Sequence, residues 1–355
     1  MMMLNRYIIK TVLLTTAVVI LVMMALFFII NFLDELRDIG TGDYGFSSAV
    51  IHVLLGLPNN LYQFFPMIAL LGGVIGLGIL ASHQELVVMR AAGFSVLRIA
   101  TANLTAALVL IVIVTLAGEW IAPKAHQMAE NQKQSAENGG QAIQTAAGIW
   151  IHEGNNFLNI NQVMGLHHLK GVTRYEFDSQ HHLLATYYVK SLDFESQQWL
   201  MRDAVKTTIA NNQAHSEEIT QGLWDLALNP QLLNVGLVEP AAMSLFQLNA
   251  YSRHLVENKL QATDFQFEFW KRIFQPLSTL VMILLALPFV FRSSRAVTMG
   301  WRVLLGISIG FIFYILNAFA GQFSVVFQFS PLFAALFPTL LCAIVGVSLA
   351  LRLRL

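Results

Sequence analysis

Six long apolar stretches and one polar interval, placed between the third and the fourth, divide the chain. A helix crosses the hydrocarbon core of a bilayer with about 20 apolar residues, because each residue rises about 1.5 Å. Thr11 to Leu33, roughly Leu57 to Leu80, Ile99 to Gly118, Ile273 to Phe291, Val303 to Gly321 and Leu332 to Leu351 have that length. The last two come from one uncharged run, 303–351, which we divide at Gly321 to Pro331, where glycine, glutamine, serine and proline gather. The first follows a short polar start, Met1 to Lys10. It is longer than the roughly 7–15 residues of a signal-peptide core and has no small-residue cleavage site, so it is expected to be retained.

The polar interval Glu119 to Arg272 has its own periodicities. Glu119 to Ala146 reads as a polar helical exit with a stop at Gly139-Gly140. The pattern then turns to period two, which marks strands. Gly148 to His152, a turn at Glu153 to Asn156, and Phe157 to Ile160 predict a hairpin. Val172 to Asp178, Leu183 to Phe194 and Trp199 to Ile209 continue the alternation across the polar turns Ser179 to His182 and Ser196 to Gln198. Short strands at regular spacing predict a small β-sandwich or jelly roll. From Ser244 to Leu260 the period is helical again, and Asp264 to Arg272 returns the chain to the fourth span. The expected fold is an integral membrane α-helical protein of six transmembrane helices, three and three, with an inserted all-β, jellyroll-like domain. Its parts are 1–118, 119–272 with a β core at about 147–240, and 273–355.

Composition agrees. The chain is 56% hydrophobic and 12% charged, against about 25% charged residues in soluble domains. A formal net charge of zero lacks the basic footprint of a nucleic-acid binder. The single cysteine, Cys342, excludes an intramolecular disulfide. Charge placement orients the spans, since lysine and arginine collect in cytoplasmic loops. Arg6, Lys10, Arg90, Arg98, Arg292, Arg295, Arg302, Arg352 and Arg354 all fall on one side. The opposite loop from Asp34 to Asp43 carries Asp34, Glu35, Asp38 and Asp43 against Arg37. Both termini are therefore expected in the cytoplasm and the polar domain outside, which in a bacterial inner membrane is the periplasm.

Motifs for chemistry are missing. There is no Gly-x-x-x-x-Gly-Lys-Ser/Thr loop to cradle nucleotide phosphates, and no His-Glu-x-x-His, Cys-x-x-Cys or Gly-x-Ser-x-Gly. No carboxylate sits inside a span, as a proton-coupled transporter would need. His167-His168 and His181-His182 read as exposed turn histidines, and His52 as a residue near the outer interface. If ATP drives this protein, another chain binds it. The stretch Ser82 to Ser95 predicts a short amphipathic helix stopped at Gly93, with Leu86, Met89 and Arg90 on one face. Such a helix either seals the loop at the membrane surface or docks a cytoplasmic motor, with Glu85 and Arg90 as polar contacts. Gly72, Gly73, Gly76 and Gly78 allow close helix approach. Phe27, Phe28, Phe32, Phe64, Phe65, Phe311, Phe313, Tyr314 and Phe319 are candidates to line a cavity for acyl chains, or to face lipid or neighbouring helices.

Several longer segments carry a resemblance. Phe65 to Gly73, Glu85 to Phe94, Gly118 to Pro123, Gly154 to Phe157 and Phe274 to Ser278 resemble the lipopolysaccharide export permeases of the LptF/LptG family, along nearly the whole chain. The resemblance implies a periplasmic β-jellyroll, a heterodimer with an LptF-like permease, two LptB-like ATPase subunits that hold the ATP and Mg, an LptC-like membrane-anchored periplasmic protein, and lipopolysaccharide as substrate. No cofactor is expected in this chain. The resemblance assigns ATPase coupling to Glu85, Leu86, Met89 and Arg90. Family members carry several basic residues after the first span, suited to lipid phosphates; here only Arg37 remains there, so Lys124, Lys133, Lys271 and Arg272 are the further candidates. Two other functions fit parts of the pattern. A lipoprotein-releasing permease solves a similar extraction problem but has four spans, with its large domain after the first. A membrane scaffold that binds partners through its β-domain would copurify with no ATPase.

Overall fold

The structure is a computed structural model. It describes residues 2–352 apart from 138–142, 154, 164–167, 179, 181, 196–197, 211–212, 225–238, 258–260 and 293–297. The expected stop at Gly139-Gly140, the turn residue Gly154, His167, His181, Arg295 and Arg354 lie outside the described residues, as does the side chain of Arg292.

Among the described residues, six helices are long and apolar enough to cross a membrane. They are α1 (Met2–Glu35), α2 (Phe46–Ser82), α4 (Val96–Leu116), α7 (Thr263–Arg292), α8 (Met299–Val326) and α9 (Pro331–Arg352). Each expected span lies within one of them, α4 being prolonged by a π-helical turn, Ala117–Ile121, into α5 (Ala122–Glu137). The short helices α3 (Glu85–Ala91) and α6 (Leu245–Glu257) sit in the connections. Three crossings before the β-domain and three after it put both termini at one end of the bundle and the β-domain at the other. The break between the last two helices differs from expectation. Gly321 stays helical, because its missing side chain makes room for the Phe267 ring, 2.8 Å from where a Cβ would stand. The chain turns later: Ser324 Oγ donates to the Phe329 carbonyl at 2.8 Å, and α9 starts at Pro331, a residue preset for the first helical position.

Helix α2 is the centre of the bundle. In its most apolar window 72% of residues are buried, against 11% for α1. Its glycines face different neighbours. A Cβ on Gly72 would stand 2.1 Å from Thr16 Oγ1, and one on Gly76 2.7 Å from Thr15 Oγ1, so this pair admits α1. Thr15 Oγ1 donates to the Gly72 carbonyl across that contact at 3.0 Å. Gly73 packs on Ala286 and Ile283 of α7, and Gly78 on Met299 and Arg302 of α8. Small residues let helix backbones approach closely enough for dispersion contact and such hydrogen bonds.

Among its described residues the inserted domain forms one antiparallel sheet in meander order. Its strands are β1 (Ile143–Glu153), β2 (Asn156–Val163), β3 (His168–Phe177), β4 (Leu183–Glu195), β5 (Gln198–Ala210) and β6 (Gln213–Trp224). All five expected strands are present; β6 is additional. Leu158, Ile160, Leu169, Val172, Val189, Leu192, Trp199 and Trp224 form one buried cluster from β2 to β6. His182, in a turn as expected, pairs with Asp178, whereas His168 is the first residue of β3, half-buried, and pairs across the sheet with Asp193 of β4, which corrects its expected place in an exposed turn. His52 lies 3.9 Å from both Glu35 and Glu130 at the β-domain end of α2.

Candidate functional site

Helix α3 is held between two left-handed backbone positions, Gln84 at φ 60° and Gly93 at φ 82°. The Phe94 amide donates back to the Met89 carbonyl at 2.9 Å, so the helix stops at the glycine that the sequence marks as its end. Leu86 and Met89 are 3% and 6% exposed, packed in a cluster with Leu77, Leu80, Ile99 and Val290. This corrects their expected place on a docking face: they anchor α3 to the bundle. Val87 and Val88 instead stand 63% and 66% exposed, beside exposed Arg90. Glu85 accepts a hydrogen bond from the Tyr7 hydroxyl at 3.3 Å and has His83 at 3.9 Å. The two valines were missed in the sequence, although Leu86 and Met89 at i and i+3 already fill the inward face of so short a helix.

The aromatic candidates divide into three places. Phe27 of α1, Phe64 of α2 and Tyr314 of α8 make a continuous row, with centroids 4.7 Å apart at both steps. Phe28 stacks on Phe32 at 5.7 Å, and Phe32 meets Phe46 edge-on at 5.4 Å. Phe311 and Phe319 project outward from α8, 56% and 67% exposed. Phe65 is the exception and a correction. It is 1% exposed, packed among Val19, Tyr62 and Ile68, because one residue along a helix rotates a side chain by about 100° away from its neighbour Phe64. Phe313 is likewise buried, against Val74 and Met282. Phe27, Phe64 and Tyr314 thus join α1 and α8 across α2. Beside them, α2, α7 and α8 enclose a cleft of about 440 Å³ with Phe64, Met67, Phe313 and Tyr314 in its wall.

Of the five candidate phosphate cations, three are already committed within the chain. Lys133 Nζ lies 2.5 Å from Glu35 and 2.6 Å from Asp38. Lys271 pairs with Glu268 at 2.8 Å. Arg272, 4% exposed, donates to Glu119 Oε1 at 2.9 Å and to the carbonyls of Gly118 and Ala241 at 3.3 and 3.1 Å. Its guanidinium also lies over the Tyr62 ring at 4.9 Å. The other oxygen of Glu119 accepts from the Leu245 amide at 2.8 Å, which ties in the start of α6. Arg272 is therefore a strut between the helix entering the β-domain and the one leaving it, because a guanidinium this buried needs a counter-charge and several acceptors. Arg37 and Lys124 are exposed and form no ion pair among the described residues.

Comparison with known proteins joins these features to a family. A profile described as lipopolysaccharide export system permease LptF/LptG matches residues 6–352. The chain belongs to this family. It is similar to the lipopolysaccharide export system permease protein LptG of Escherichia coli strain K12, 36% identical over 352 residues and 98% of each chain. It is equally similar, 36% over 340 residues and 95% of each chain, to the LptG protein of Haemophilus influenzae strain Rd.

The segments that carry the LptF/LptG resemblance fall on joints of the structure. Phe65 to Gly73 is the packed heart of α2, and Glu85 to Phe94 is α3 with its stop. Gly118 to Pro123 is the π-helical turn, where a Cβ on Gly118 would stand 2.0 Å from the Tyr62 ring. In Phe274 to Ser278, Gln275 Nε2 donates to the Tyr62 carbonyl at 2.6 Å, and Ser278 shares a 2.6 Å hydrogen bond with Thr339 of α9. Gly154 to Phe157 spans the first hairpin turn, in which Gly154 lies outside the described residues.

Proposed function

We propose that this chain is the non-catalytic permease subunit of an ATP-driven transporter that takes lipopolysaccharide from the inner membrane and passes it to a periplasmic β-jellyroll bridge. The observation that carries the reading is the bare apolar face of α1 and α8, joined through Phe27, Phe64 and Tyr314, on a chain of the LptF/LptG family. A second, LptF-like permease opposite that face would close a cavity for acyl chains. With both termini and α3 in the cytoplasm, as the arginine and lysine distribution indicates, the β-domain faces the periplasm and an LptC-like protein. Each methylene taken into the cavity contributes about 0.8 kcal/mol, so a lipid with many chains is held tightly and its release requires work. Two LptB-like subunits, holding ATP and Mg, supply that work at α3. Motion there reaches α2 through the packing of Leu86 and Met89 on Leu77 and Leu80.

Glu85 and Arg90 are the polar contacts of this interface, and Val87 and Val88 its apolar ones. Glu85→Ala is expected to lower copurification of the ATPase, or to uncouple ATP hydrolysis from lipid release, while the chain accumulates in the membrane normally. Unchanged copurification together with unchanged export would remove Glu85 from the coupling path.

A further inference from the structure

The cleft between α2, α7 and α8 carries a charge pattern that does not suit an anionic cargo. Its volume of about 440 Å³ is at the small end of the roughly 300–1,000 Å³ typical of ligand sites. It accommodates a single hydrocarbon chain, not a bundle of them. The apolar part is made by Met67, Phe313 and the glycine notch at Gly310, where a Cβ would meet Met67 Cγ at 2.3 Å. At the β-domain end the mouth holds Glu239, Asp264, Glu268 and Lys271. Glu268 and Lys271 neutralise each other at 2.8 Å. Glu239 and Asp264 are exposed and form no ion pair among the described residues. Three carboxylates against one ammonium leave two negative charges in excess. A headgroup of phosphates alone is repelled by such a mouth, whereas an ammonium is attracted.

We propose that this cleft binds one acyl chain of an ammonium-bearing bilayer phospholipid, with the ammonium at Glu239 and Asp264. A zwitterionic ethanolamine headgroup supplies such an ammonium. This lipid is a resident of the permease and distinct from its cargo. Phe64 and Tyr314, stacked at 4.7 Å, form the wall between the cleft and the bare α1 and α8 face, so the bound chain supports that wall from behind.

The test uses the assembled permease and ATPase complex, with a photoreactive benzophenone residue in place of exposed Gln322 at the cleft. The complex is reconstituted in vesicles of equal parts phosphatidylethanolamine and phosphatidylglycerol, and the adducts are weighed by mass spectrometry. The ethanolamine adduct is expected to exceed the glycerol adduct about tenfold, the size that two exposed charge pairs can supply. Asp264→Asn combined with Glu239→Gln should bring the ratio close to one. Ala318→Phe, at an exposed position lining the same cleft, should reduce both adducts by filling it. Equal adducts in the unaltered complex would overturn the proposal, as would a preference that survives neutralisation of both carboxylates. So would adducts insensitive to Ala318→Phe. Lipopolysaccharide, added to the vesicles and captured at Gln322 in preference to phospholipid, would make the cleft part of the cargo path and equally overturn it.

Discussion

Replacing Arg272 by alanine is expected to cost the protein a large part of its folding stability. The substitution leaves the Glu119 carboxylate, 13% exposed, without its counter-charge, and takes a donor from the Gly118 and Ala241 carbonyls. Breaking a buried pair from one side costs about 3–5 kcal/mol, a large part of the roughly 5–15 kcal/mol that a folded protein has in total. Thermal unfolding of the purified protein, together with its level in the membrane, reads this directly. Lys271→Ala is the internal comparison. Its neighbouring pair with Glu268 is 25% and 16% exposed, so the carboxylate left behind is reached by water more easily than one paired with a fully buried guanidinium, and the loss is expected to be smaller. Glu119→Gln in the Arg272→Met background should recover part of the loss, since no uncompensated charge then remains buried. If Arg272→Ala folded as well as Lys271→Ala and lost only lipid binding, the residue would be a phosphate ligand and the strut would be refuted.

The second large effect is expected at α3. Val88→Asp should leave the permease folded, because Val88 is 66% exposed and surface substitutions usually stay within about 0.5 kcal/mol. Copurification of the ATPase should nevertheless fall at least about tenfold. Full burial of a valine at an interface contributes about 1.5 kcal/mol or more, and a carboxylate trapped in its place adds a desolvation cost. Leu86→Asp should behave differently, reducing the level of the permease itself, since Leu86 is 3% exposed within the bundle. The contrast between neighbours separates the outward face of α3 from its anchor. An ATPase retained at its normal level by Val88→Asp would show that α3 is only a seal at the membrane surface.

The parts of this molecule written as periodicity were legible in the sequence. Apolar length placed all six crossing helices, and alternation placed β1 to β5. Strand β6 was not, since Gln213 to Glu218 is exposed along its length and shows no alternating core face. Gly321 was misjudged as a terminator because a glycine that admits the Phe267 ring looks, in sequence, like a glycine that ends a helix. The site residues show the same limit. The stop at Gly93 follows from local backbone preference, but the inward rotation of Phe65, Leu86 and Met89 is set by helices distant in the chain. The pairing of Arg272 with Glu119 joins residues on opposite sides of the inserted domain, so charge type alone could not separate a strut from a ligand.

Cargo lipid is expected to run along the exposed apolar side chains of α1 and α8. In-cell photocrosslinking tests it most directly, with a photoreactive residue at Phe311 or Phe319 on that face and, for comparison, at Val112 of α4 and Ile344 of α9. These two controls are as exposed, at 57% and 69%, but they lie on other helices. Adducts that react with antibody to lipopolysaccharide are expected at Phe311 and Phe319, and none at Val112 and Ile344. Adducts of equal strength at all four positions, or none on the α1 and α8 face while the ATPase still copurifies, would contradict it.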